Sequence, residues 1–169
     1  MIVLRTSRLA LREITHDDHP FLAAMMADRE VMRHFPKTNT PDEVRAWIER
    51  QRVRYADEGH GVWLVEDRQR GRPLGRAGLA WQQVLGVAEP EIGYMLHRPF
   101  WRLGYANEAA AAIRDYAFET LAYDHVISLV RPENVASQGV ARSIGMRPRT
   151  VACLHAELRH MIFELRREA

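Results

Sequence analysis

A short segment between two regular stretches has the make-up of a loop that binds an anion. Residues 101–106 read Trp-Arg-Leu-Gly-Tyr-Ala; they follow an apolar, strand-like run at 91–96 and open an alanine-rich, helix-like stretch at 107–121. A strand, a short loop with a glycine and a helix start together gather backbone N–H groups around a phosphate. Because the first four amides of a helix have no partner within it, they need an outside acceptor.

No side chain of a capping type stands near this helix start. Residues 97–106 contain no Ser, Thr, Asp or Asn, the residues that usually accept from the first helical amides. Two interpretations stay open on these residues alone. Either Gly104 and water cap the helix, or its amides bind an external anion with help from Arg98 and Arg102.

A second candidate pair is Asn134 and Ser137, which lie one helical turn apart at the start of a later helix. At this spacing both side chains can face the same cleft. The alternative is that Asn134 is an ordinary N-cap and Ser137 a surface or packing residue, and the two residues by themselves favour that alternative.

Three segments, in order along the chain, resemble the GNAT N-acetyltransferases, in the form typical of the RimJ and RimL branch. Residues 101–109 are similar to its acetyl-CoA pyrophosphate loop, Trp-x-x-Gly-Tyr-Ala-x-Glu-Ala. Residues 6–13, Thr-Ser-Arg-Leu-Ala-Leu-Arg-Glu, resemble its first strand. Residues 134–145, with Asn134, Ser137 and Gly145, resemble its Asn-x-x-Ser helix. Together the segments span nearly the whole chain.

The resemblance implies a binding site for acetyl-CoA. Its pyrophosphate would bind the amides of the loop, and its pantetheine arm would pair with the strand that ends at Met95 and Leu96. The Leu96 amide would also face the oxyanion. Asn134 would bind pantetheine and Ser137 the departing sulfur. The implied cosubstrate-binding set is Met95, Leu96, Arg102, Leu103, Gly104, Tyr105, Ala106, Asn134 and Ser137.

The acid and the base of the reaction are less well marked. Ala141 stands where many GNAT enzymes carry a tyrosine acid, so Ser137 is the acid candidate that the motif offers. Glu91, on the strand next to the expected thioester, is the first candidate for the base that takes the proton of the amine. Further candidates are Glu157, the second choice, and Glu89, His60 and His97. Glu108 is interpreted as structural, because the helix dipole favours a carboxylate in the first turn.

Composition excludes several other classes of protein. The net charge is +2, and the arginines alternate with acidic residues instead of forming a stripe, so no nucleic-acid partner is expected. The eight histidines show no metal-ligand spacing, and no metal is expected. The lone cysteine, Cys153, suggests a reducing compartment and is interpreted as a small buried hydrophobe. Without a transmembrane run or an apolar leader, we expect a cytoplasmic protein that does not use a membrane.

The element pattern predicts an α+β fold in one domain over residues 1–169, with a mixed, mostly antiparallel central sheet flanked by helices. The predicted elements are a strand at 8–14, helices from Thr15 and from Thr40 to Gly59, a hairpin of 62–66 and 74–81, a loop at 82–90, strands at 91–96 and 125–130, a helix ended by Gly145, and strands at 149–154 and 158–166. Gly93 inside its strand suggests a bulge or a close backbone approach.

The resemblance therefore implies an enzyme that transfers an acetyl group to a primary amine, either a protein N-terminus or a small molecule. A longer acyl group is also compatible with it. The alternative from another class is a non-catalytic acyl-CoA-binding module of the same fold, which the missing tyrosine at Ala141 keeps open. A third alternative, an unrelated phosphate-binding protein, explains the loop alone. A homodimer is expected from the resemblance only.

Overall fold

The computed structural model describes residues 1–155 and 157–168, with the side chains of 150–154 left out of the description. Its strands are β1 (Ile2–Arg5), β2 (Leu9–Arg12), β3 (Val62–Asp67), β4 (Pro73–Val84), β5 (Val87–Leu96), β6 (His125–Val130), β7 (Arg147–His155) and β8 (Leu158–Arg166). Its α-helices are α1 (His19–Ala27), α2 (Pro41–Asp57), α3 (Tyr105–Asp115) and α4 (Val135–Ser143).

The strands form one mixed sheet in the order β1-β2-β3-β4-β5-β6-β8-β7. Neighbouring strands are antiparallel except β5 and β6, which are parallel. Helices α3 and α4 pack on one face, where Ala109, Ala110 and Ile113 of α3 join the main core. Helices α1 and α2 cover the other face around Leu64 and Met95. The predicted α+β architecture with a mostly antiparallel sheet is confirmed.

The loop predicted at residues 82–90 is wrong. Strands β4 and β5 continue through it and pair in register up to Val84 opposite Val87. The turn between them consists of Leu85 and Gly86, whose φ angles are 51° and 82°. Two consecutive positive φ angles make the tight hairpin turn whose twist matches the strands. Because leucine rarely adopts this conformation, the residue types at 85 and 86 do not clearly indicate the turn.

Several boundaries also differ from the predictions. The strand expected at 8–14 is the shorter β2, and β1 precedes it as an additional edge strand. The helix expected from Thr15 begins with a 3₁₀ turn, His16–Asp18, in which the Asp18 carboxylate accepts from the Thr15 N–H at 2.8 Å. The alanine-rich helix begins at Tyr105, earlier than expected, and ends in a π-helical turn, Tyr116–Thr120.

Strands β5 and β6 are paired at a single position, Glu91 opposite Ile127, and diverge beyond it. Gly93 lies just past this point. It makes neither a bulge nor a close approach, since its pairing with Gly78 is regular and an added Cβ would meet nothing within 4 Å. The expectation for Gly93 is therefore wrong: this glycine leaves open space above the diverging strands.

Candidate active site

A cleft with two connected compartments opens where β5 and β6 diverge. The loop compartment, about 410 Å³, lies against Trp101, Arg102 and the start of α3. The sheet compartment, about 340 Å³, lies over β4 and β5 and is lined by Glu91 and Gly93. The two share the residues His34, Phe35, Tyr94, Met95, Asn134 and Ser137. A long ligand bound along the loop compartment would therefore present one end to the sheet compartment.

The loop compartment ends at the start of α3. Gly104 is the N-cap of this helix with φ of 80°, and no side chain caps it. The first helical bond runs from the Glu108 N–H to the Gly104 carbonyl at 3.1 Å, so the preceding amides have no partner within the helix. The backbone of Arg102 also adopts the left-handed conformation, with φ of 60°. The residues that line the compartment here are Arg102, Gly104, Tyr105, Ala106 and Asn107.

Glu108 holds the N-terminal segment against this loop. Its carboxylate accepts from the Thr6 and Ser7 hydroxyls, from the Arg8 N–H at 2.9 Å and from Arg8 Nε at 2.6 Å. Arg8 also donates to the Leu103 carbonyl at 2.9 Å and lies 4.6 Å above the Tyr105 ring. Burial acts to raise the pKa of Glu108, but these hydrogen bonds outweigh it and lower the pKa to about 2. Glu108 thus has a structural role.

Replacing Glu108 with glutamine is expected to lower the free energy of unfolding at pH 7 by about 2 kcal/mol, as measured by urea denaturation. Because the folded-state pKa is depressed, this stabilisation is present above the unfolded pKa and is lost as the pH falls toward 2. The difference from the wild type should therefore shrink by about half at pH 3. Glu119→Gln, at an exposed position, is the control. A difference that is the same at both pH values would contradict the assignment.

The edge of β5 that faces the cleft carries backbone groups in a known orientation. Ser128 Oγ of β6 donates to the Ile92 carbonyl at 2.7 Å, which fixes the direction of that residue's peptide groups. Since alternate residues of a strand point their N–H and C=O groups the same way, those of Tyr94 and Leu96 also face the divergence. The Leu96 carbonyl there accepts from Trp101 Nε1 at 2.7 Å. The Tyr94 and Leu96 amides are thus directed at the cleft.

Glu91 lies at the floor of the sheet compartment. Gln82 Nε2 donates to one carboxylate oxygen at 2.8 Å, and the Leu129 N–H approaches the other at 3.4 Å. Burial raises the pKa of Glu91 above its ordinary value, and the hydrogen bond from Gln82 opposes this only in part. A carboxylate with a raised pKa is better matched to accept a proton near neutrality.

The other candidate bases lie outside both compartments as the described residues define them. Glu89 pairs with Arg149 at 2.6 Å and with His125 at 2.7 Å. His60 is fully buried, and its ring nitrogens contact the Leu79 carbonyl and the Tyr123 hydroxyl. Glu157 is exposed in the turn between β7 and β8. His97 packs its ring against Phe21 and Phe100.

The start of α4 lies at the junction of the two compartments, where Asn134 and Ser137 line both. Asn134 is the N-cap of α4, and its Oδ1 accepts from the Ser137 N–H at 3.1 Å. The Ser137 carbonyl in turn accepts from the Tyr94 hydroxyl at 2.8 Å. Ala141 is fully buried in the core. The capping role of Asn134 is therefore present, and a role for Asn134 and Ser137 toward a ligand stays a prediction.

Sequence reasoning missed several residues of the cleft. Tyr94 lies at the junction, and Trp47 of α2 and Arg76 of β4 line the sheet compartment. Arg76 stands opposite Met95 and shares a face with Glu91, a relation that follows only once β4 is paired with β5. Cys153 lies among the residues whose side chains are not described.

Within the described residues no helix is long and apolar enough to cross a membrane. Nor do their His, Cys, Asp and Glu side chains form a group that could hold a metal ion.

Comparison with known proteins identifies the family. The family description "Acetyltransferase (GNAT) domain" matches residues 8–147. The protein YkkB of Bacillus subtilis is 34% identical over 144 residues, which are 85% of this chain and 84% of that protein. The crystal structure of an acetyltransferase from Agrobacterium tumefaciens is 28% identical and covers 97% of this chain and 94% of its own, with a TM-score of 0.84.

RimL, the acetyltransferase of the ribosomal protein L7/L12, has been solved in complex with coenzyme A. It is 16% identical, covers 97% of this chain and 96% of its own, and has a TM-score of 0.78, so it supports the fold alone. The family match extends over most of the chain and includes both the loop at α3 and the start of α4. This chain therefore belongs to the GNAT acetyltransferase family.

Proposed function

We propose that this protein transfers an acetyl group from acetyl-CoA to a primary amine, either a protein N-terminal amine or a small-molecule amine, in the cytoplasm. The observation that carries the proposal is the connection of the two compartments at Tyr94 and Ser137. One compartment ends at amides that have no partner within the helix, which suit a phosphate-bearing donor. The other ends at Glu91, a buried carboxylate that suits an amine.

The loop compartment would bind the donor. The amides at the start of α3 would accept the pyrophosphate, with Arg102 beside them, and Gly104 allows the close approach of backbone and phosphate. The Tyr94 and Leu96 groups on the edge of β5 would pair with the amides of the pantetheine arm, together with Asn134 and Met95. The Leu96 N–H also supports the carbonyl oxygen as it gains negative charge.

The chemical step then follows from the residues around the junction. Glu91 accepts the proton of the amine, and the amine nitrogen forms a bond to the acetyl carbon. The tetrahedral carbon collapses with cleavage of its bond to sulfur, and the electron pair leaves on the thiolate of coenzyme A. Ser137 Oγ donates a hydrogen bond to this sulfur. As the carbon collapses, the nitrogen loses its second proton, which passes to the thiolate. The products are the N-acetylated amine and coenzyme A as the thiol, and the proton that Glu91 took from the ammonium group is released to solvent.

If Ser137 stabilises the leaving thiolate, Ser137→Ala is expected to lower kcat by about 10- to 100-fold, because a hydrogen bond to a charged group contributes about 1.5–3 kcal/mol. The KM for acetyl-CoA should change little. Steady-state measurement of thiol release checks this, with Ser143→Ala at the far end of α4 as the control. An unchanged kcat would remove Ser137 from the chemical step.

The proposed function is tested by incubation of the protein with acetyl-CoA and three groups of amines: peptides with free N-termini, polyamines and amino acids. Thiol release is followed together with the mass of each amine. A gain of one acetyl group on at least one amine is expected. Saturable binding of acetyl-CoA without acetylation of any amine would contradict the proposal and support the non-catalytic module.

A further inference from the structure

We infer that the acceptor amine carries an anionic group, a carboxylate or a phosphate, which Arg76 and Arg131 bind in the sheet compartment. This inference rests on the proposed function and names its substrate class. Two observations support it: the positive charge of this compartment, and two buried guanidinium nitrogens that have no hydrogen-bond partner among the described residues.

The sheet compartment is rich in positive charge. Its described lining includes three arginines, Arg54, Arg76 and Arg131, whereas Glu91 is the only acidic residue among the described residues that line it. Residues 150–154 and 156, which lack described side chains, are uncharged by sequence. A polyamine would place further cations among these arginines, which is unfavourable in a buried site. An acceptor with an anionic group would instead balance them.

Arg76 lines the compartment, and none of the described residues makes a hydrogen bond with its guanidinium group. Its guanidinium lies 4.7 Å above the Trp47 ring, and its Nε is buried with no hydrogen-bond partner among the described residues. Burial lowers the pKa of Arg76 to about 10, although the Glu91 carboxylate attracts its charge. A buried guanidinium nitrogen without an acceptor carries a desolvation cost. An anionic ligand would supply the acceptors.

Arg131, which follows β6, resembles Arg76 in this respect. Its Nε is buried without a hydrogen-bond partner in the described part of the chain, and its Nη2 lies 3.5 Å from Glu133. Burial is the main reason why the pKa values of His34 and His160 are lowered, and the positive charge of Arg131 lowers them further. The charge of Arg131 therefore lies near both rings. Arg131, like Arg76, lines the sheet compartment.

Arg12, an arginine with a structural role, differs from Arg76 because its guanidinium group has several hydrogen-bond acceptors. Its guanidinium makes two bonds to Asp18, at 2.7 and 2.8 Å, one to Glu66 at 2.8 Å and one to the Glu13 carbonyl at 3.0 Å. The contrast with Arg76 is direct, because neither a carboxylate nor a carbonyl takes the donors of Arg76 among the described residues. A compartment of about 340 Å³ has room for a ligand of amino-acid size.

The test compares acceptors that differ only in the anionic group. One arm pairs amino acids with their amides and with the corresponding decarboxylated amines; a second arm pairs phosphoethanolamine with ethanolamine and so separates phosphate from carboxylate. We expect kcat/KM to be at least 10-fold higher for the anionic member in one arm. Because amino-acid amides have the more nucleophilic amine at neutral pH, reactivity alone favours the opposite order.

The variants Arg76→Gln and Arg131→Gln assign the preference to these residues. Each is expected to raise the KM for the anionic acceptor by about 10-fold or more and to affect its uncharged partner much less. Arg70→Gln, in the exposed β3–β4 turn, is the matched control. Calorimetric binding of acetyl-CoA to each variant shows whether it is folded and binds the donor.

The outcomes separate this inference from the proposed function. Equal or faster transfer to uncharged amines or polyamines would overturn the inference and leave the acetyltransferase in place. A preference for anionic acceptors that survives in both arginine variants would overturn the assignment to Arg76 and Arg131. No acetylation of any amine, with acetyl-CoA bound, would overturn the proposed function and the inference with it.

Discussion

Replacement of Glu91 by glutamine is expected to lower the kcat of amine acetylation by about 10²–10⁴-fold and to leave the affinity for acetyl-CoA intact. Glutamine keeps the shape of the side chain and can still bond to Gln82, but it cannot accept the proton of the amine. Glu91 lies in the sheet compartment, beyond the junction where the donor would end, so its loss should not disturb donor binding. Steady-state kinetics and calorimetry measure the two effects separately.

The pH dependence of the rate is a second, independent test of Glu91 as the base. Because burial raises the pKa of Glu91, the wild-type rate should increase with pH through a midpoint above the ordinary value for glutamate. This limb should be absent in Glu91→Gln. Glu157→Gln, which changes an exposed carboxylate, should keep both the rate and the limb. If kcat is the same in Glu91→Gln as in the wild type, Glu91 is not the base.

Replacement of Gly104 by glutamate is expected to weaken acetyl-CoA binding by more than about 100-fold, which calorimetry measures. The new carboxylate would stand at the helix start where the pyrophosphate is proposed to bind, and it would repel those phosphates. The Cβ of the new side chain would also lie 3.3 Å from Arg8 Nη2. The new carboxylate would therefore compete with Glu108 and the Leu103 carbonyl for the guanidinium group of Arg8.

Backbone strain must be separated from this electrostatic effect, since Gly104 has φ of 80° and any side chain is disfavoured there. Gly71→Glu is a matched control, because Gly71 has φ of 63° in an exposed turn and an added Cβ there meets nothing within 4 Å. Both variants should lose similar stability, and only Gly104→Glu should lose binding. Equal binding by the two variants would place the pyrophosphate elsewhere.

Local signals in the sequence predicted much of the fold and part of the candidate site. The capping residue Thr40, with Glu43 three positions later, identified the start of α2, and Gly59 and Gly145 marked helix ends that the structure shows with positive φ angles. The loop at Gly104 was recognisable because it combines a glycine with a missing cap. These features depend only on neighbours in the chain.

Features that depend on pairing between distant strands could not be read in the same way. The Leu85–Gly86 turn places leucine in a conformation that its type disfavours, and the pairing of β4 with β5 imposes it. The point where β5 leaves β6 depends on a parallel register of one residue pair. Arg76 could be assigned to the site only because the pairing of β4 with β5 places it on the same face as Glu91.

The most direct test of the central claim is a backbone-amide NMR titration of the protein with acetyl-CoA. The claim is that the donor lies with its phosphates at the start of α3 and its thioester between β5 and α4. The largest shift changes are therefore expected at the amides of residues 102–106 and of Tyr94 and Leu96. If these amides do not respond, or if the largest changes fall on a segment away from the loop, such as the Leu85–Gly86 turn at the opposite end of β4 and β5 from Leu96, the site is wrongly placed.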